Sequence, residues 1–164
     1  MRKILALVLC LLMALSLSSA VAETAAPEEM FDGVWVQFED GFEFYIPANW
    51  VQFECTEEML AGGIFFMAGT EDGSYLCTVS WRALEQEATI EQALEGLSTV
   101  YPDAAIYEVN GVNIITYVDA ESNLLNCVAL DAAEPGLYIF NFYPAEDEEF
   151  QLLASAITAS IRNF

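Results

Sequence analysis

The segment VWVQFEDGFEFYI, residues 34–46, alternates its side chains with a period of two on both sides of a glycine-bearing tripeptide. Such alternation commits a chain to strands with one dry face. A two-residue Asp40-Gly41 turn would set Gln37 opposite Phe44 and Glu39 opposite Phe42, mixing amide and acid with aromatic rings. A three-residue loop over residues 39–41, with Gly41 left-handed at the bulge position, instead pairs Phe38 with Phe42, Val36 with Phe44 and Val34 with Ile46. One face is then wholly apolar, and the other carries Trp35, Gln37, Glu43 and Tyr45. A slip of one residue would scramble both faces, so the register is strongly specified. Pro47 has no amide proton for a ladder and ends the second strand, and Trp50 then brings a large ring suited to capping one end of a core.

The same Glu-Asp-Gly tripeptide recurs at residues 71–73, between IFFMAG and SYLCTVSW. Here both registers give an apolar face, and turn chemistry alone points to a second three-residue loop. In that register Phe65 and Met67 join Tyr75, Cys77, Val79 and Trp81 as core. The stretch ATIEQALEGLSTVYP follows, with Ile90, Ala93, Leu94 and Leu97 at helical spacing, a Thr89–Gln92 capping box and Pro102 as a stop. Gly96 weakens this helix by about 1 kcal/mol relative to alanine, so packing has to hold it. Asn110-Gly111 reads as a type I′ turn that pairs Val109 with Val112, Tyr107 with Ile114 and Glu108 with Asn113. LLNCVAL and LYIFNFY continue an antiparallel meander. The chain closes on an amphipathic helix expected to start at Pro144, with the stripe Phe150, Leu153, Ala154, Ile157 and Ile161. Glu146, Asp147, Glu148 and Glu149 stand at its positive end and Arg162 at the other.

The N-terminus, MRKILALVLCLLMALSLSSAVAETAAPEE, has the pattern of a secretory signal: two basic residues, an apolar run too short for the ~20 residues of a spanning helix, and Ala20-Val21-Ala22 as a cleavage site. The expected organisation is a signal peptide over residues 1–22, a flexible leader over 23–30 and one domain over 31–164, exported and without a membrane span after cleavage. Export leaves Arg82 and Arg162 as the basic residues against 26 acids. A surface of that sign repels phosphate and anionic headgroups, which argues against nucleic acid and for a soluble monomer. Cys55, Cys77 and Cys127 remain, an odd number for an oxidising compartment. Cys77 and Cys127 sit in apolar strand patterns, where they are either buried thiols or one bridge.

The order hairpin, hairpin, helix, meander, helix resembles the PsbP-like and DcrB-like family of secreted bacterial domains. GFEFYIPANW (41–50), VNGV (109–112) and the ending LLASAITASIRNF (152–164) carry the likeness. It implies an α+β fold, an antiparallel sheet flanked by helices. Family members act in unrelated settings, so it implies no reaction.

The chain has no histidine, and the mature part has no lysine, which removes His-based triads, Schiff bases and P-loop chemistry. No catalytic residue, cofactor or metal ligand is assigned. Neither VDAESN (118–123) nor the acids at 146–149 match a calcium loop, and they read as a polar turn and a helix-dipole complement. The candidate ligand face is Trp35 and Tyr45 beside Gln37 and Glu43, suited to a sugar ring or an extended peptide. Exposure decides this point, because a buried pair would be a packing contact. The expected function is a non-catalytic extracytoplasmic binding or accessory domain for a protein or envelope component. The alternatives are a small hydrolase using a carboxylate pair and a structural assembly module.

Overall fold

A computed structural model describes residues 30–38 and 41–162. The expected signal peptide, and the leader as far as residue 29, lie outside the described residues. The first hairpin forms as its alternation requires. β1 (Gly33–Gln37) and β2 (Glu43–Pro47) pair Val36 with Phe44 and Val34 with Ile46. The Phe38 amide bonds to the Phe42 carbonyl at 3.0 Å, and Gly41 has φ 97°. This is the three-residue register, with glycine where a side chain would strain.

A seven-stranded antiparallel sheet underlies the hairpin, built from β3 (Val51–Gln52), β4 (Ile64–Gly69), β5 (Leu76–Ala83), β6 (Ala105–Val109), β7 (Val112–Asp119), β8 (Leu124–Leu130) and β9 (Gly136–Tyr143). Its order is β3-β4-β5-β9-β8-β7-β6. After β5 the chain passes through α2 (Ile90–Ser98) to the far edge and returns strand by strand, until β9 closes the gap beside β5. α2 has the Thr89–Gln92 capping box. Asn110 and Gly111 both have positive φ, 50° and 82°, and set the β6–β7 register read from the sequence.

The two sheet faces have different covers. Phe66, Cys77, Val79, Cys127, Phe140 and Phe142 lie in one core with Phe42, Phe44 and Ile46 of the hairpin and with Phe150, Ala154, Ile157 and Ile161 at the C-terminal end. The opposite face holds Ile115 and Val128 beneath Ile90 and Leu94 of α2. Burial of the first face, several large aromatics included, is the main stabilising term.

Four expectations need correction or completion. The second hairpin pairs Gly69 with Leu76 and Ala68 with Cys77, one residue away from a three-residue loop. Thr70 closes on Tyr75, because Asp72 accepts bonds from Thr70 Oγ1 at 2.7 Å and from the Ser74 amide at 3.0 Å, ordering a longer turn. Phe66 and Ala68 therefore take the buried positions expected of Phe65 and Met67. A bulge between Ile64 and Phe66 still brings Phe65 to the margin of the core. The terminal helix, α3 (Glu148–Ala159), starts after Pro144, with Asp147 as its N-cap through a 2.9 Å bond from the Phe150 amide. Arg162 does not sit in its last turn but bridges to Glu43, extending the hairpin by one backbone pair. A short helix, α1 (Glu57–Ala61), capped by Thr56, is too brief to leave a periodic signal.

Cys77 and Cys127 are free and buried. They lie on β5 and β8, with β9 between them, so about 10 Å separates the two strands and no bridge can form. Burial raises both thiols, Cys127 to about 11. Among the described residues no helix is long and apolar enough to cross a membrane.

Candidate functional site

The hairpin register brings Trp35 and Tyr45 opposite each other, with ring centroids 5.3 Å apart. The same register sets Gln37 opposite Glu43. All four candidate residues thus share one neighbourhood, and a fifth, Arg162, organises it. Its Nε donates to Glu43 Oε1 at 2.6 Å, and its guanidinium lies 3.7 Å from the centroid of the Trp35 ring. Gln37 Nε2 donates to Glu43 Oε2 at 2.7 Å. That bond first, and the Arg162 bond second, holds the Glu43 carboxyl below its ordinary range.

Exposure divides the four. Tyr45 is 6% exposed; its backbone amide donates to Ser160 Oγ at 2.7 Å and its hydroxyl accepts from the Gly33 amide at 2.9 Å. A Cβ at position 33 would come within 2.6 Å of the Tyr45 ring, so glycine is required there. Glu43 is 8% exposed. Trp35 is half-buried and Gln37 exposed. The condition set for an aromatic recognition face therefore fails at Tyr45, which packs as core. The cluster works as a clasp between the C-terminal end and the first hairpin. Sequence reasoning missed Arg162 as its centre, although a basic residue among so many acids was a usable signal.

A more open feature lies across the sheet. Between β6–β8 and α3 runs a groove of about 430 Å³, lined by Tyr107, Val109, Thr116, Leu125, Ser155 and Ala159. Asn110, in its left-handed turn, donates from Nδ2 to the carbonyls of Ala159 and Ile161, each at 2.9 Å, and ties the turn to the helix end. The groove borders the outer edge of β6, the last strand in the sheet order. Tyr107 is 57% exposed, and Leu152, three residues before Ser155 on α3, is 72% exposed.

Several carboxylates serve their own turns. Asp72 accepts from Thr70 and Ser74, which lowers its pKa to about 2. Asp119 accepts from Ser122 Oγ at 2.6 Å and is lowered too. The described carboxyls that depart from ordinary values, Glu43, Asp72, Glu91 and Asp119, all move downward, whereas a general acid needs the opposite shift.

No family model matches this chain, and no curated protein matches it. The solution structure of cyanobacterial PsbP (CyanoP) from Synechocystis sp. PCC 6803 is similar, with a TM-score of 0.56 and 13% identity, over 91% of this chain and 99% of that one. A crystal structure from Bacteroides thetaiotaomicron VPI-5482 is similar with a TM-score of 0.53 and 13% identity, over 80% of this chain and 48% of the other, so this chain spans about half of it. The chain thus has a PsbP-like α+β fold, as the hairpins and the Asn-Gly turn imply. At such identities the likeness carries architecture and no activity.

Proposed function

We propose that this PsbP-like domain is a non-catalytic, extracytoplasmic binding or accessory module that engages a protein or another envelope component. One observation carries the reading: the groove between α3 and β6–β8 opens beside a strand that is the sheet's edge among the described residues, and exposed Tyr107 lines it. An edge strand offers backbone donors and acceptors to an added strand, and the groove offers apolar seats for its alternate side chains. The 26 acids favour a partner segment with basic residues, and they discourage two copies from meeting. Trp35 and Gln37 keep a place at the margin of the reading, as the two candidate residues with accessible surface.

Affinity capture from native envelope with wild type, Tyr107→Ser/Leu152→Ser and Trp35→Ala tests this. The expected result is a partner that the groove variant loses and Trp35→Ala retains. Equal recovery of every partner by all three proteins would remove the groove from consideration. Stable oligomers in sedimentation of wild type alone would favour an assembly module instead.

A further inference from the structure

A second hollow, of about 380 Å³, shares no lining residue with the groove and stands independently of its reading. Three aromatic rings, Phe65, Trp81 and Tyr138, line it together with Asp131 and Glu134. The fold assembles these from separate strands. Trp81 and Tyr138 face each other across β5 and β9. The β4 bulge delivers Phe65, whose ring meets that of Tyr138 edge-on, with centroids 6.3 Å apart and planes at 82°.

The arrangement is rigid where it matters. The Trp81 indole N–H donates to Asp131 Oδ2 at 2.9 Å. A Cβ at Gly136 would lie 2.6 Å from the indole, so only glycine leaves room for that ring. Asp131 Oδ1 accepts from the Ala133 and Glu134 amides at 2.8 and 3.3 Å, which sets the carboxylate beside the rings. Among the described residues neither Asp131 nor Glu134 is paired with a cationic side chain.

Aromatic walls attract cations through the negative faces of the rings, most effectively when the cation sheds its water easily. Ca²⁺ and Mg²⁺ instead need a shell of converging oxygens, and aromatic walls supply none. A group with an apolar body and a diffuse positive charge satisfies rings and carboxylates together. We propose that this pocket binds a small organic ammonium cation, free or at the end of a polypeptide side chain.

Choline chloride, its neutral carbon isostere dimethylbutanol, and a short peptide containing trimethyllysine are titrated against the full chain. The readout is the NMR resonance of the Trp81 indole N–H. The expected result is a saturable shift with choline or the peptide and none with the isostere. Asp131→Asn/Glu134→Gln should weaken the cation about tenfold while the dispersed backbone amide resonances of β8 and β9 stay in their folded positions. Should Asp131→Asn disturb the loop, Glu134→Gln alone must still weaken binding. Tighter binding of the peptide identifies a polypeptide source, and tighter binding of choline a free one. A non-saturable response to both cations, equal binding of the isostere, or undiminished affinity in the neutralised variants overturns the proposal.

Discussion

Phe44→Ala is the perturbation that most directly tests how the first hairpin is held. The hairpin forms its own two-stranded sheet, so side chains rather than a continuous ladder fasten it to the larger one. Phe44 is fully buried, with the rings of Phe66 and Phe140 edge-on at 5.6 and 5.5 Å and Phe38 stacked at 5.7 Å. Truncating a buried phenylalanine costs about 3–5 kcal/mol. Each aromatic pair adds about 0.5–1.5 kcal/mol beyond area, and a sheet cannot collapse into the void, so the upper half of that range is expected here. With a urea dependence of about 1.5 kcal/mol per molar, the midpoint should fall by about 3 M. Tryptophan fluorescence reports the transition, and hydrogen exchange should show β1–β2 losing protection before β8–β9. Phe44→Leu, which keeps much of the apolar volume but none of the ring contacts, should cost less than Phe44→Ala. A midpoint shift below about 0.5 M for Phe44→Ala, or equal loss of protection in β8–β9, would refute the account of the hairpin as a side-chain-held cover.

Two further outcomes follow from the described chemistry. Asp72 has a folded pKa lowered from 3.8 to about 2, so its contribution is present above the higher value and lost as pH falls through the lower one. The difference in thermal midpoint between wild type and Asp72→Asn should therefore be constant at neutral pH and shrink across that acid window; a difference that grows there would contradict the turn assignment. Burial of Cys77 and Cys127 predicts that a thiol reagent modifies Cys55 alone among the three in the native protein and all three after denaturation. Rapid native labelling of a Cys55→Ser variant would contradict the packing of β5 and β8.

Registers were legible wherever turn type and facial polarity agreed. In the first hairpin a slip would have buried Gln37 and Glu39, and at Asn110-Gly111 the dipeptide dictates its own turn. The second hairpin lacked the first of these constraints: either face of IFFMAG is apolar, and the choice fell to hydrogen bonds made by Asp72, Thr70 and Ser74. The start of α3 was misplaced because Pro144 is a permitted first helical residue, yet Asp147 offers the better cap. The Trp35 and Tyr45 pairing was visible, but the burial of Tyr45 depends on Ser160, 115 positions later, and on Phe31, 14 positions earlier, and periodicity does not report such distances. The ring-lined pocket stayed hidden for the same reason, its residues coming from β4, β5, β9 and one loop.

The strand order has a consequence for biosynthesis. β9 is made last among the strands yet occupies an internal position, and Arg162 later still fastens β2. Strands β3–β5 and β6–β8 can form partial ribbons as they emerge, but among the described strands no pairing joins them until residues 136–143 have left the ribosome. A nascent chain arrested before that point lacks the strand that pairs with both ribbons.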